Sequence, residues 1–388
     1  MDASSPVPFH TFLWKIASRC NLACTYCYVY SLADGGWRNQ PGFMSSEVAR
    51  RAAQRMREHL EQHDKRDAAI VFHGGEPMLG GVSQMSDLAT IILETFAGSS
   101  IRISVGMQSN LLLFTPEIGD LMLSLGLTVG VSIDGPPRIN DRFRIDHHGK
   151  GSSAALEDRL ALLGSARYRP LFSGFLCVLD PDTDPIEVTD YLLSFDPPSI
   201  DFLFPLDNHD RRPRGKAGEH LNKTPYGDWL VRSFDRWMSR PNSTRIRLFQ
   251  SMIQQLCGAP SLVESIGLDA VDLIVVETNG EIEGVDSLKG TYDGATKLGF
   301  DIHRHSFDEV AGHLAVRSRQ LGLTSLSAAC RTCPVVDVCG GGYLPHRYSA
   351  ERNFDNPSVY CADLEKLIRH IHGTLRGGLR TMGMEAHA

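Results

Sequence analysis

No apolar run in the chain approaches the length that a membrane span needs. The opening stretch, MDASSPVPFH, is too short and too polar to be a secretion signal ahead of the first apolar segment. A strong basic excess is also missing. The 39 Lys and Arg stand against 46 Asp and Glu, and the net charge of −7 argues against a general nucleic-acid binder, with room left for local basic patches. There is no internal repeat and no low-complexity tract, which excludes a stacked-repeat array. A cytoplasmic location is the default expectation, with neither membrane nor nucleic acid as partner. What remains is ordinary for a soluble globular protein: 42% hydrophobic and 22% charged residues in 388 positions. That length suits one large domain plus a smaller one, or two of middling size.

Without a secretion signal, the nine cysteines read as metal or redox ligands before disulfides. Cys20, Cys24 and Cys27 form C-x3-C-x2-C within SRCNLACTYCY. Three thiolates are too few for a closed tetrahedral zinc site. They suit a [4Fe–4S] cluster that keeps one iron open for a small molecule. A zinc knuckle short of one ligand and three unrelated cysteines are the alternatives. Cys330-x2-Cys333-x5-Cys339-x21-Cys361 is a complete four-thiolate set. The glycines of CGGGYLPHRY let the backbone wrap a bulky cofactor. From the residues alone, a second cluster and a structural zinc both fit this set. Cys177 lies in an apolar run and reads as a small buried hydrophobe, while Cys257 stands alone.

Short apolar runs begin at residues 9, 68, 101, 127, 171 and 199 and alternate with helical patterns. Ser45 or Ser46 caps the helix that follows the first run. Thr115–Pro116 and Asp184–Pro185 are further helix starts. Six strand–helix alternations predict an α/β fold, an open partial (β/α)6 TIM barrel, since eight units would close it. The polar and glycine-rich groups then fall at strand C-terminal ends, where parallel sheets place ligands. These are the cysteine loop, GGEP at 74–77, QSN at 108–110 and SIDG at 132–135. RRPRGK at 211–216 reads as a solvated linker. Residues 224–258 look helical, with Trp229, Phe234 and Trp237 as anchors. Asn279–Gly280 is a hairpin turn between a strand at 270–277 and a return strand EIEGVDSL. Glu281 and Glu283 would then share one face of that strand, with Asp286 on the other. The expected segments are 1–210 (barrel), 211–269 (helical bridge) and 270–388 (a C-terminal α+β domain). No separate leader-peptide-binding module is expected ahead of the first strand.

The cysteine triplet directly after an N-terminal strand, with GGEP and SIDG following in order, resembles the radical S-adenosylmethionine (SAM) superfamily. The resemblance implies that an open cluster iron chelates SAM, whose cleavage yields a 5′-deoxyadenosyl radical. It also implies site roles. Tyr26 lies along the adenine. Gly74, Gly75 and Glu76 face the SAM amino group. Gln108 and Asn110 sit at the next strand end, in a QSNLLL context that lacks the family's glycine. Ser132 and Asp134 match the ribose-contacting strand, with Ser132 the contact. Arg144 holds the carboxylate.

The C-terminal spacing resembles the SPASM domain, which implies that Cys330, Cys333, Cys339 and Cys361 ligate an auxiliary [4Fe–4S] cluster, giving two clusters in all. The cysteines of a second auxiliary cluster are missing, with Val285 standing where that domain has one of them. Asp286 next to it matches the aspartate that accepts a proton in sulfatase-maturing relatives. ETNGEIEGVDSLK, CGGGYLPHRY and FDNPSVYCADL resemble FxsB-type maturases of ribosomally made precursor peptides. That family implies a C–C cross-link, a cyclophane, between an aromatic ring and a nearby β-carbon. Its substrates are three-residue motifs that begin with an aromatic residue, and it takes electrons from an external donor such as flavodoxin or ferredoxin. The alternatives are a sulfatase-maturase-like protein oxidase that forms formylglycine, and a redox-sensing iron–sulfur protein.

Overall fold

The computed structural model describes residues 5–216, 222–241 and 243–381. Residues 1–4 of the opening stretch, 217–221 and 242 of the expected bridge, and 382–388 of the last segment lie outside it. The strands are β1 Thr11–Ala17, β2 Asp67–Gly74, β3 Arg102–Ser109, β4 Thr128–Ser132, β5 Phe172–Val178, β6 Ser199–Leu203, β7 Arg245–Ile246, β8 Leu273–Val276, β9 Glu281–Glu283 and β10 Lys297–Asp301. The six strands expected for a partial barrel are all present, as β1 to β6. Two compact units divide the chain: residues 1–176 with 270–321, and residues 177–269 with 322–388.

In the first unit β1, β2, β3, β4 and β5 pair in sequence order, all parallel. Helices return the chain between them at Ser46–Gln62, Gly81–Phe96, Pro116–Leu125 and Ser153–Leu163. The cap signals act as expected. Ser45 accepts from Val48 N–H, and Thr115 accepts from Ile118 N–H with Pro116 in the first turn. Trp14 and Phe72 are in register and fully buried, with ring centroids 6.3 Å apart. Burying each such ring is worth roughly 1.5–3 kcal/mol. Side chains alternate along a strand, so the next residues, Lys15 and His73, lie side by side on the opposite face.

The sheet of this unit does not stop at β1. β8 pairs parallel with β1 from Thr11↔Leu273 to Trp14↔Val276. The expected hairpin follows, with β9 antiparallel to β8 and β10 antiparallel to β9. The return strand is shorter than expected. It ends at Glu283, and a 3-10 turn spans Asp286–Gly290. The alternation assumed for residues 281–286 therefore fails at Gly284. Glu283 and Asp286 meet around Lys289, at 3.0 and 3.9 Å, instead of facing apart.

In the second unit β6 and β7 pair parallel. Phe202, Trp229, Phe234 and Phe249 form its aromatic core, with Phe202–Trp229 centroids 5.1 Å apart and Phe234–Phe249 5.4 Å. The helical stretch expected at 224–258 is interrupted. One helix spans Pro225–Met238 and another Arg247–Leu256, with β7 between them. Pro241 cannot donate to a continuing helix, and the released backbone joins β6. The RRPRGK segment is not a free linker either. Lys216 is fully buried and paired with Asp363, while Arg214 binds Asp182 at 2.9 Å.

Candidate active site

β1 delivers the cysteine loop, and two backbone bonds strap that loop to residues 143–145: Ala23 N–H to Ile145 O at 2.7 Å and Thr25 N–H to Phe143 O at 3.0 Å. On the other side the loop rests on the double glycine. A Cβ on Gly74 would lie 1.9 Å from Ala17 O, and one on Gly75 would lie 2.0 Å from Tyr30 Oη. Only glycine allows this approach. Burial pushes the Cys20 thiol up to about 12, and the neighbouring sulfurs add to the rise. Burial raises Cys24 and Cys27 as well. A metal bound by these sulfurs would displace their protons.

Tyr26, Asp134 and Arg144, separate in sequence, form one chain of bonds. Tyr26 Oη donates to Asp134 Oδ2 at 2.6 Å, and Arg144 Nη1 donates to Tyr26 Oη at 2.9 Å. Arg144 is buried, and its Nε donates to nothing. A guanidinium with an unused buried donor fits a carboxylate ligand. Gln108 and Ser132 meet as well, with Nε2 donating to Oγ at 2.8 Å.

Glu76 is held by the ends of two strands. It is fully buried, and its oxygens accept from Met78 N–H (2.9 Å), Ser109 Oγ (2.8 Å) and Asn110 N–H (2.8 Å). Burial raises its carboxyl. The carboxylate thus ties the end of β2 to that of β3. Asn110 Nδ2 donates to Asn21 Oδ1 at 2.8 Å, which places it on the cysteine loop.

Asp286 is buried, 4% exposed, and forms an ion pair with Lys15. Burial alone would push its carboxyl up. The charges of Lys15 and Lys289 outweigh that and hold it well below the usual carboxylate range. Lys289 also binds Glu277 at 2.6 Å and Glu283 at 3.0 Å. Burial and the charge of Glu277 push Glu283 up. An ammonium occupies the middle of these three carboxylates, so they are not read as a metal site. Lys15 acts on Cys27, and Asp286 acts on Tyr30, so the cluster of charges adjoins the cysteine loop. His73 Nδ1 is buried without a partner, and burial lowers the imidazole to about 4.

Lys15, His73, Lys289 and Glu277 escaped the sequence reading, and Glu283 was set on the face opposite Asp286. Lys15 carried a usable signal: a lone cation in the apolar run FLWKIA demands a buried partner.

In the second unit Cys330, Cys333, Cys339 and Cys361 line one cavity of about 70 Å³. No disulfide joins them. By this measure one water needs roughly 10–15 Å³, so the space suits a larger group. Burial and the neighbouring thiols push Cys339 up to about 12. Cys177, by contrast, is 1% exposed.

Residues 14–191 match the family model described as the Radical SAM superfamily, and the fold agrees. The chain carries a radical SAM domain over that stretch. It is similar to the serine-type anaerobic sulfatase-maturating enzyme of Klebsiella aerogenes, 27% identical over 366 residues, covering 91% of this chain and 84% of that protein. The cysteine-type enzyme of Clostridium novyi is 22% identical, with 96% and 97% covered. Among solved structures, "Native anSMEcpe with bound AdoMet" superposes with a TM-score of 0.80 at 22% identity, over 95% of this chain and 99% of that one. Among the described residues, no helix is long and apolar enough to cross a membrane.

Proposed function

We propose that this enzyme abstracts hydrogen from a β-carbon in a precursor peptide and joins that carbon to a nearby aromatic ring. Cys20, Cys24 and Cys27 would hold the first [4Fe–4S] cluster, and Tyr26, Ser132 and Arg144 would position SAM. When bound, this pair supplies a 5′-deoxyadenosyl radical. Joining the carbon to the ring releases one proton and one electron. Asp286 would take the proton. Cys330, Cys333, Cys339 and Cys361 would hold a second cluster, a one-electron acceptor. An external flavodoxin or ferredoxin would supply reducing electrons.

The likeness to sulfatase maturases supports the part that both reactions share: hydrogen abstraction from a peptide β-carbon, with an aspartate nearby. Val285 carries the choice between them. It is 6% exposed and lines a small apolar cavity with Leu273, Ile274, Leu288 and Leu298, and the SPASM resemblance implies a cysteine at this position in a domain with the further cluster. No cysteine lines that cavity.

The test is mass spectrometry of a short peptide encoded beside this gene, incubated anaerobically with reconstituted enzyme, SAM and dithionite. The expected product has lost two hydrogens, ignores aldehyde reagents and resists fragmentation between the joined residues. An aldehyde-reactive product would overturn cross-linking in favour of formylglycine formation.

A further inference from the structure

Arg347 is 8% exposed, and its guanidinium is surrounded by neutral carbonyls. Nη2 donates to Gly340 O at 2.7 Å and Gly342 O at 2.6 Å, while Nε donates to Gly341 O at 3.0 Å and Gly342 O at 3.2 Å. Gly340, Gly341 and Gly342 hold φ of 61°, 77° and 71°, and a run of three left-handed residues is open only to glycine. This run starts directly after Cys339 and turns its carbonyls onto the cation. Asn356 Nδ2 holds the Arg347 carbonyl at 2.9 Å, so the backbone beneath is fixed too.

A buried charge needs a counter-charge. Among the described residues no carboxylate forms an ion pair with Arg347, and the charges acting on it are those of Cys330 and Cys339. The anion that balances it is therefore the thiolate set itself.

We propose that Arg347 is the fixed counter-charge of the cluster held by Cys330, Cys333, Cys339 and Cys361, and that it sets the reduction potential of that cluster. This rests on the reading of those thiols as a [4Fe–4S] site. Each one-electron reduction adds a negative charge with no proton, and a fixed cation in a low-dielectric site favours the added electron. Its removal shifts the potential to more negative values.

The experiment uses the full chain with Cys20→Ala, Cys24→Ala and Cys27→Ala, so that any remaining cluster is the C-terminal one. Iron and zinc are counted, and the cluster is titrated with dithionite while its electron paramagnetic resonance is followed. Zinc without iron in this parent protein overturns the cluster reading itself before Arg347 is touched. With iron present, Arg347→Gln is expected to lower the reduction equilibrium tenfold or more, about 59 mV for one electron. Arg347→Lys, which keeps the charge, should stay near the parent. If Gln loses the cluster and Lys keeps it, charge is again the deciding property. An unchanged potential in the Gln variant, or loss of the cluster in both variants, overturns the proposal. In the second case Arg347 serves only to clamp the glycines.

Discussion

Lys15 and Asp286 lie 271 positions apart and form a buried ion pair. Replacing Asp286 with Asn leaves the Lys15 ammonium buried against a neutral amide. Breaking a buried pair in this way costs about 3–5 kcal/mol, so Asp286→Asn should unfold at lower denaturant concentration. It should still bind its iron and form 5′-deoxyadenosine. Cross-linked peptide should fall by roughly 10²–10⁴, the usual contribution of a general base. Adding Lys15→Met to that variant removes the stranded charge, so stability should recover in part while product does not. Recovery of product in the double variant would exclude Asp286 as the proton acceptor. Near-normal product in the single variant would do the same.

The strand ends and their turns are the elements that bring the site together, and they respond to backbone contact more than to charge. Gly75→Ala would drive a methyl into Tyr30 Oη and Arg19 O, at 2.0 and 2.1 Å. It should therefore lose the iron held by the triplet, about half of the total in a two-cluster protein. Gly126 has φ 65° but open space around it, so Gly126→Ala should cost only backbone strain, roughly 1 kcal/mol, and keep its iron. Equal iron loss in both would remove the contact argument. What the sequence made legible was local. Ser45, Thr115–Pro116 and Asn279–Gly280 each act within four residues and were read correctly. The strand order β1 to β5 followed from alternation. The addition of β8 beside β1 was not legible, because its partner lies some 260 residues away and no local pattern encodes an edge. The same distance hid Lys15 from Asp286. The triplet was legible because its spacing is itself the site. The joint use of Tyr26, Asp134 and Arg144 needed the fold.

For the molecule as a whole, two clusters imply about eight irons after anaerobic reconstitution, and alanine at all three triplet positions should remove about half. Stoichiometric zinc at the C-terminal set would contradict this. Acid should act through histidines that folding keeps neutral. Burial holds His59 below its ordinary 6.5, His73 at about 4 and His346 at about 3. A group lowered in the folded state contributes its stability above the unfolded value and loses it as pH falls toward the folded one. Stability should therefore drop between pH 6.5 and about 4, by up to about 1.4 kcal/mol per pH unit for each histidine. Denaturant titrations at several pH values should show this slope, flattened in His346→Gln; an unchanged slope in that variant would exclude His346 as a contributor. The pairing of β8 with β1 also has a consequence in time. A ribosome adds roughly 5–20 residues each second. The first strand of the sheet therefore waits tens of seconds for the neighbour that covers its edge and for the carboxylate that neutralises its lysine. Until the chain has grown past the hairpin, the nascent protein carries an open strand edge and an unmatched cation, and this is the interval in which a holding chaperone has something to hold.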